Sequence, residues 1–258
     1  MAVDLAGRTV LVTGASSGIG EAVAEAFAAA GCRLLLTARR RDRLEALADR
    51  LRSDGAAEVV VGALDVRDRA AVDAFVGGLA PEWAAIDILV NNAGLARGLA
   101  PLHEGDVTDW EEMLDTNVKG LLWVTRAVLP GMVERGRGHV INIGSIAGHE
   151  TYPSGNVYCA TKHAVTALNR CLAIDLLGTG VRVSSVDPGL VETEFSMVRF
   201  HGDRERADAV YRGLEPLVGS DVADAVLFCA TRPLHATVRE MILLPTAQAA
   251  AVHVHRSA

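Results

Sequence analysis

Short apolar runs alternate with longer amphipathic stretches along the whole chain. Segments such as Gly20–Ala30 and Arg41–Arg52 have apolar positions at helical spacing. Strand–helix alternation of this kind predicts an α/β fold with a parallel sheet covered by helices on both faces. The predicted strands are Thr9–Thr13, Arg33–Thr37, Glu58–Ala63, Ile86–Val90, His139–Ile143, Arg182–Val186 and Met241–Leu244. Because no Pro/Gly/Ser-rich linker divides the pattern, we expect residues 1–258 to form a single domain.

One segment, around 190–217, departs from this alternation of strands and helices. It contains Phe195, Phe200 and the charged run Asp203–Arg206, and it follows the predicted strand Arg182–Val186. Irregular segments beyond the carboxyl ends of parallel strands commonly cover ligands. We therefore expect a substrate lid here, the alternative being an ordinary surface excursion.

Composition and charge narrow the classes of partner. Half of the 258 residues are hydrophobic but only 4% are aromatic, which predicts a core of Ala, Val, Leu and Ile. The net charge of −7 argues against nucleic-acid binding, because phosphate recognition needs a basic face. Apolar runs fall short of the roughly 20 residues of a membrane-spanning helix.

The first residues lack the pattern of a secretion signal, and the four cysteines have no CxxC spacing, so we expect a cytoplasmic protein with neither disulfide nor metal site. The pair His253-x-His255 could hold a metal in principle, but no acid or cysteine accompanies it. We expect no metal, and we expect the tail 247–258 to pack at a subunit interface.

A glycine-rich loop follows the first predicted strand and precedes a helix. Glycines allow a tight turn and close approach to a pyrophosphate, and the helix N-terminus favours its negative charge. The spacing is G-x-x-x-G-x-G rather than G-x-G-x-x-G. This pattern predicts dinucleotide binding by Gly14, Ser16, Ser17, Gly18, Ile19 and Gly20.

The coenzyme is predicted to be NADP(H). The second strand ends without the acidic residue that binds a ribose 2′-hydroxyl, and arginines follow it. A guanidinium matches phosphate geometry, so Arg39 is the first candidate for the 2′-phosphate and Arg40 the second. Asp65, beside Val66 after the third strand, is placed to accept a hydrogen bond from the adenine amino group or, alternatively, to cap a helix.

Tyr158 and Lys162 lie four residues apart and would share one helix face, with Ser145 thirteen residues upstream. A cation beside a phenol favours the phenolate, so Tyr158 is expected to exchange a proton near neutral pH. Carbonyl reduction and alcohol oxidation both require such a group.

These motifs, in their order along the chain, resemble the short-chain dehydrogenase/reductase family. The resemblance implies a Rossmann-like, doubly wound sheet of seven parallel strands in the order 3-2-1-4-5-6-7 and a homotetramer. It implies catalytic roles for Ser145, Tyr158 and Lys162, with Asn117 holding a water that links Lys162 to solvent or satisfying backbone groups in a helix kink. It also implies coenzyme contacts from Asn91, Ala93, Gly94, Tyr158, Lys162, Pro188, Gly189, Val191 and Thr193.

A narrower likeness is to the 3-hydroxy acid (serine/allo-threonine) dehydrogenase branch, which includes malonic semialdehyde and sulfoacetaldehyde reductases. It is carried by Leu89–Ala96, Thr125–Val133, Pro188–Val191, Glu194–Asp203 and Val254–Arg256. This likeness implies an oxidoreductase that uses NADP with a short 3-hydroxy acid, its semialdehyde, or a two-carbon sulfonated aldehyde.

An acidic substrate needs an anion-binding group, for which Arg199 is the first candidate, with Tyr152 and His149 as further donors beside Ser145. Alternatively, Arg199 pairs with Glu194 or Asp203, and Tyr152 only forms the wall. Two other functions stay open. One is a broader carbonyl reductase for neutral ketones, sugars or 3-ketoacyl thioesters, and the other is a non-catalytic NADP sensor.

Overall fold

The computed structural model describes residues 3–53 and 58–257 and contains one seven-stranded parallel sheet. Its strand order is 3-2-1-4-5-6-7, as expected. Every predicted strand is confirmed, with ends that differ from the prediction by no more than two residues. The strands are β1 (Thr9–Thr13), β2 (Arg33–Ala38), β3 (Val59–Ala63), β4 (Ile88–Asn91), β5 (Gly138–Ile143), β6 (Val181–Pro188) and β7 (Glu240–Leu243).

Helices cover both faces of this sheet, and a π-helical turn at Asp115–Gly120 joins two of them. The two predicted helices correspond to the first two observed ones. The helices are α1 (Gly18–Ala29), α2 (Arg41–Ser53), α3 (Arg69–Gly77), α4 (Pro81–Ala84), α5 (Val107–Leu114), α6 (Leu121–Glu134), α7 (Asn156–Asp175), α8 (Phe195–Arg199), α9 (Arg204–Ala209) and α10 (Gly219–Ala230).

Successive residues of β1 enter different cores, because side chains alternate across a strand. Val10 and Val12 pack with Phe27 of α1 and with residues of α2 and α10 on one face. Leu11 packs on the other face with Val72 of α3 and residues of α6. This explains why β1 is continuously apolar, with every residue buried.

The parallel arrangement brings the carboxyl ends of the central strands to one edge. In register, Val12 lies beside Val90 of β4, and Ile143 of β5 lies beside Val186 of β6. The loops that follow β1, β4, β5 and β6 therefore meet at this edge, where a doubly wound sheet binds its ligands.

The segment predicted as a lid does lie over this edge, and it contains α8 and α9. Its two ends meet through backbone bonds, Glu192 N to Leu217 O at 2.8 Å and Leu217 N to Leu190 O at 3.0 Å. Gly98 N donates to the carbonyl of Arg199 (2.9 Å), which joins the lid to the loop after β4. The segment is thus a closed loop resting on the sheet edge.

Candidate active site

A cavity of about 550 Å³ lies at the carboxyl edge, and twenty of the residues predicted from sequence line it. Four predicted residues are not among those that line it, namely Gly20, Asn91, Asn117 and His149. The predicted residues that do are Gly14, Ser16, Ser17, Gly18, Ile19, Arg39, Arg40, Asp65, Val66, Ala93, Gly94, Ser145, Tyr152, Tyr158, Lys162, Pro188, Gly189, Val191, Thr193 and Arg199.

The loop from β1 to α1 has the conformation that its glycines allow. Gly14 and Gly18 have φ values of +67° and +59°, which L side chains rarely adopt. A Cβ on Gly14 would lie 2.9 Å from Ala93 Cα, so this turn packs directly against the loop after β4. The first residues of α1, Gly18 and Ile19, therefore line the cavity, and a helix N-terminus there suits a pyrophosphate.

Gly20 and Asn91 make packing contacts and hydrogen bonds inside the fold and do not line the cavity. A Cβ on Gly20 would overlap Asn92 Nδ2 and the Gly14 carbonyl oxygen, so only glycine permits this packing. Asn91, still within β4, points into the fold and donates to Thr125 Oγ1 (2.8 Å) and Asn142 Oδ1 (2.9 Å). The Asn91 side chain is therefore not among those that line the cavity, and its contact with the coenzyme stays a prediction.

Asn92, which the sequence argument passed over, lines the cavity and fixes the glycine loop. Its Nδ2 donates to the carbonyls of Thr13 (2.9 Å) and Gly14 (3.1 Å). The Thr13 hydroxyl in turn accepts the backbone N–H groups of Asn92 (3.1 Å) and Ala93 (3.0 Å). Alternation across the strand gives the signal, since only one of two consecutive asparagines can face the ligand.

Arg39 and Arg40, the two candidates for binding a 2′-phosphate, differ in how far their guanidinium groups are already hydrogen-bonded. Arg40 is fully engaged: it donates to Ser16 Oγ (3.2 and 3.1 Å), Ser17 Oγ (2.7 Å) and Glu194 Oε2 (2.9 Å). Arg39 is half-exposed, and its ion pair with Glu112 is long, at 3.6 Å. The guanidinium of Arg39 is therefore the more available for a phosphate.

Glu194 of the lid reaches the coenzyme end of the cavity, which the sequence did not indicate. Besides Arg40, it accepts from Arg43 of α2 at 2.8 and 2.9 Å. Arg43 and Arg40 hold the pKa of Glu194 below its usual range. A carboxylate on the lid thus bonds directly to an arginine that also holds the glycine loop.

Asp65 lines the cavity as predicted but does not cap a helix. Its carboxylate is bonded to Arg67 Nη2 (2.6 Å) and accepts Arg67 N (3.0 Å), and the Arg67 hydrogen bond lowers the pKa of Asp65. The N-cap of α3 is Asp68, which accepts from Ala71 N at 3.0 Å. The alternative that Asp65 caps this helix is wrong.

Ser145, Tyr158 and Lys162 converge at the inner end of the cavity. α7 carries Tyr158 and Lys162 on its buried face, one turn apart, and Ser145 follows β5. Lys162 Nζ lies 5.9 Å from the Tyr158 ring centroid and donates to the carbonyl of Ile143 (2.9 Å). The Ser145 hydroxyl accepts from Ala147 N (3.1 Å), which fixes its position.

Burial governs the protonation of Tyr158 and Lys162 in the coenzyme-free chain. It raises the pKa of Tyr158 well above its ordinary value, opposed by the Ser145 hydroxyl and the Arg199 charge. It lowers the pKa of Lys162 to about 8. The expectation that Tyr158 titrates near neutral pH is not met in the coenzyme-free chain, because desolvation outweighs the Ser145 hydrogen bond and the Arg199 charge. In the coenzyme-free chain Tyr158 is therefore a protonated phenol.

Asn117 sits in the π-helical turn behind this group, with its side chain fully used. Oδ1 accepts from Leu95 N (2.8 Å), while Nδ2 donates to Leu95 O (2.8 Å) and Thr161 Oγ1 (3.0 Å). The side chain therefore satisfies backbone groups, one of its two predicted roles. It also packs near the cavity, because a Cβ on Gly94 would lie 3.3 Å from Asn117 Oδ1 and 3.8 Å from Lys162 Nζ.

Arg199 and Tyr152 form the lid side of the catalytic pocket. Arg199 donates to the Tyr152 hydroxyl (2.9 Å) and to the carbonyl of Gly98 (3.1 Å). The predicted alternative, pairing of Arg199 with Glu194 or Asp203, is wrong, because Glu194 binds Arg40 and Asp203 caps α9. Arg199 enters the pocket with no carboxylate bound to it among the described residues.

His149 is not placed to donate to a substrate. Its Nε2 lies 2.9 Å from Asp187 Oδ2, and Asp187 is fully buried at the end of β6. The predicted substrate contact from His149 is therefore not supported.

The tail 247–257 packs on the lid of its own chain. Gln248 Oε1 accepts from Leu190 N (2.9 Å) at the start of the lid, and Ser257 N donates to Gly213 O (2.7 Å) near its end. Arg256 donates to the carbonyl of Val210 (2.9 Å). These contacts place the tail against its own cavity, and its expected place at a subunit interface stays a prediction.

The fold and this site, where a tyrosine, a lysine and a serine converge beside a glycine-rich turn, are those of a dinucleotide-binding oxidoreductase. The family model for short chain dehydrogenase matches residues 8–204. The chain therefore belongs to the short-chain dehydrogenase/reductase family.

Its relatives are similar over nearly the full length. An NADP-dependent 3-hydroxy acid dehydrogenase of Salmonella typhi is 50% identical over 250 residues, which cover 96% of this chain and 99% of the relative. Sulfoacetaldehyde reductase 2 of Chromohalobacter salexigens is 46% identical, covering 93% and 95%. The closed form of a serine dehydrogenase complexed with NADP+ has a TM-score of 0.91 and 48% identity, covering 97% of this chain and all of that one. Within 3–53 and 58–257, no helix is long and apolar enough to cross a membrane.

Proposed function

We propose that this chain is an NADP-dependent oxidoreductase acting on a short 3-hydroxy acid, or in reverse on its semialdehyde or a two-carbon sulfonated aldehyde. The observation that carries the proposal is the position of Arg199, which binds no carboxylate of residues 3–53 and 58–257 and lies 5.6 Å from the ring centroid of the proposed acid Tyr158. An anionic group held there would place an adjacent carbonyl close to Tyr158. The names of the relatives support the same substrate class.

The residues present fit a bound NADP(H). The glycine turn leaves room for a pyrophosphate, Arg39 is available for a 2′-phosphate, and Asp65 lies at the adenine end. Pro188, Gly189, Val191 and Thr193 would line the nicotinamide end, and Lys162 would hold the ribose hydroxyls. The coenzyme, when bound, supplies the hydride.

The protein supplies the proton and the position of the substrate. We assign Tyr158 the role of acid that protonates the developing alkoxide, and Ser145 the role of donor that orients the carbonyl oxygen and stabilises its charge. In the oxidative direction the same phenol would receive the proton. Phe195 packs edge-on against Tyr158, with ring centroids 5.6 Å apart, and limits access of water from the lid side.

A second candidate function is reduction of neutral ketones, sugars or 3-ketoacyl thioesters. The apolar lid residues Phe195, Val198 and Phe200, which line the cavity, favour it. A non-catalytic NADP sensor is less well supported, since a pure binder has no use for the proposed acid beside an orienting serine.

The test is oxidation of NADPH, followed at the coenzyme's absorbance near 340 nm, with a panel of carbonyl compounds. The panel contains malonic semialdehyde, sulfoacetaldehyde, a neutral ketone and a 3-ketoester, with L-serine and NADP+ for the reverse direction. We expect a higher kcat/KM with the anionic members. Preference for the neutral members would overturn the assignment of an acidic substrate. Tight NADPH binding without turnover would favour the sensor.

We also propose that the protein is a homotetramer and acts in the cytoplasm. Large apolar side chains support an assembly: Ile174 at the end of α7 and Leu177 just after it are 73% and 86% exposed. Light scattering of the purified protein measures the mass, and a monomer at micromolar concentration would contradict the assembly.

A further inference from the structure

Arg97, in the loop after β4, is not among the residues that line the cavity and has no part in the chemistry described so far. Its guanidinium bonds to two other elements. It donates from Nη1 to the carbonyl of Val198 in α8 (2.6 Å) and from Nε to Glu112 Oε2 of α5 (2.6 Å). Because a planar guanidinium donates in fixed directions, one side chain joins the lid to α5.

The bond to Val198 bears directly on Arg199, because one planar peptide unit contains the Val198 carbonyl and the Arg199 N–H. The next peptide unit contains the Arg199 carbonyl, which accepts from Gly98 N at 2.9 Å. The loop after β4 therefore holds both peptide units that flank the Arg199 Cα. Together, these two bonds fix the direction in which the Arg199 side chain leaves the backbone.

The helix that carries Arg199 needs such support from outside. α8 is only five residues long, and a helix of this length has little stability of its own. The Arg199 side chain also donates to the Gly98 carbonyl (3.1 Å), but that bond occupies the guanidinium that is proposed to bind an anion. The bond from Arg97 holds α8 without using that guanidinium.

Glu112 holds Arg97 from the side away from the lid. Both side chains of this pair are 20% exposed, so water and salt screen their bond less than an exposed pair. Glu112 Oε1 lies 3.6 Å from Arg39 Nη1 and from Arg67 Nη1, so these two contacts are longer than the bond to Arg97. The Arg97 hydrogen bond holds the pKa of Glu112 below its usual range, and Glu112 is therefore a carboxylate at neutral pH.

A second contact between the lid and α5 is weaker. His201 Nε2 lies 3.1 Å from Asp109 Oδ2, one helical turn before Glu112, but the His201 side chain is 57% exposed. Exposed ion pairs contribute little, because water and salt screen them. The connection between α5 and the lid therefore depends mainly on Arg97.

We propose that Arg97, held by Glu112, is a positioning residue that sets the substrate specificity by keeping the Arg199 guanidinium turned toward the substrate. Arg97 acts through the backbone of α8 and touches no reacting atom. This inference rests on the proposed function, since a fixed Arg199 matters for a substrate that carries an anionic group.

The first test measures backbone hydrogen exchange by mass spectrometry, in peptides of the coenzyme-free protein that contain Gly98 or α8. The Gly98 amide is bonded to the Arg199 carbonyl, so it exchanges when α8 moves away from the loop. We expect exchange in Arg97→Ala to be roughly 2- to 10-fold faster, as for the loss of one net hydrogen bond. Arg135→Ala is the matched control, because Arg135 donates to the Ile86 carbonyl (2.6 Å) outside the lid. Exchange in Arg97→Ala equal to that of wild type overturns the proposal.

Two variants of Glu112 give an independent result where Arg97→Ala does not fold. Glu112→Gln keeps an oxygen that can accept from Arg97 and should leave the exchange of these peptides near that of wild type. Glu112→Ala removes the acceptor and should make it faster, by less than Arg97→Ala. Wild-type exchange in Glu112→Ala also overturns the proposal.

The second test is a double-mutant cycle, measured with malonic semialdehyde and a neutral ketone. Arg97→Ala should lower kcat/KM for the anionic substrate roughly 2- to 10-fold, mainly through KM, and leave the neutral ketone little changed. In the Arg199→Ala background it should cause no further loss, because both changes remove the same interaction. A further loss of the same size overturns the proposal. A wild-type enzyme that prefers neutral substrates fails the proposed function, whereas the exchange rates decide without turnover whether Arg97 holds the lid.

Discussion

The guanidinium of Arg199 donates to the Tyr152 hydroxyl across 2.9 Å and packs over the rings of both Tyr152 and Tyr158, at 5.4 and 5.6 Å. This contact joins α8 of the lid to the helix that carries the proposed acid. Burial raises the pKa of Tyr152, so its hydroxyl is a donor at neutral pH. An anion bound by Arg199 would therefore have a second donor beside it.

Replacing Arg199 by alanine should lower kcat/KM for anionic substrates much more than for neutral ones. A hydrogen bond to a charged group contributes about 1.5–3 kcal/mol, so kcat/KM for an anionic substrate should fall roughly 10- to 100-fold. A neutral ketone lacks this interaction and should lose much less. The measurement is the ratio of kcat/KM values for malonic semialdehyde and a neutral ketone.

Tyr152→Phe is the matched control for Arg199→Ala, because it removes one hydroxyl and leaves the guanidinium. Its effect on the anionic substrate should be the smaller of the two. Full activity of Arg199→Ala on acidic substrates would remove this residue from the substrate site.

Coenzyme selectivity should depend on Arg39. The structure favours it over Arg40, whose N–H groups are held by Ser16, Ser17 and Glu194. The variant Arg39→Asp places a negative charge where a 2′-phosphate is expected, so the KM for NADPH should rise far more than the KM for NADH. The matched control is Arg41→Asp, since Arg41 pairs with Glu45 within α2 (2.8 Å). Unchanged selectivity in Arg39→Asp would exclude this residue from the coenzyme site.

Tyr158→Phe should keep coenzyme binding and lose turnover. The ring and its edge contact with Phe195 remain, so NADPH should bind with nearly the wild-type Kd. Loss of a general acid lowers kcat by roughly 10²–10⁴-fold. Tyr211→Phe controls for loss of a buried hydroxyl, because Tyr211 bonds to Ser196 (2.8 Å) and the carbonyl of Val191 (2.9 Å) in the lid. Turnover of Tyr158→Phe close to wild type would refute the mechanism.

The sequence predicted best what is local in the chain. Tyr158 and Lys162 are one helical turn apart, and strand–helix alternation places the glycine loop at the strand ends, so both could be inferred from spacing. The choice between Asn91 and Asn92 depends on where β4 ends and which face each residue takes. Moving the end of β4 by one residue would exchange the faces of Asn91 and Asn92. The apolar residues of β4 do not show from sequence where the strand ends.

The spacing of residues in the sequence could not predict contacts between distant segments. His149 was assigned to the substrate, but its partner Asp187 lies 38 residues away, near the end of β6. The lid residue Glu194 bonds to Arg40, 154 residues earlier. Lid packing decides both this bond and the orientation of Arg199, and nothing in the local pattern encodes it. Burial likewise reversed the expected direction for the Tyr158 pKa, since the depth of a side chain follows from tertiary packing.

The pH dependence of carbonyl reduction should follow Lys162 rather than Tyr158. Burial lowers the pKa of Lys162 to about 8, so the side chain is an ammonium ion below that pH and a neutral amine above it. Burial raises the pKa of Tyr158, so the phenol stays protonated over the same range. Therefore kcat/KM for reduction should be level below about pH 8 and fall above it, approaching about tenfold per pH unit as one proton is lost. The measurement is kcat/KM from pH 6 to 10 at constant ionic strength with saturating NADPH. A rate that stays level to pH 10 would show that the charge of Lys162 does not limit the reaction.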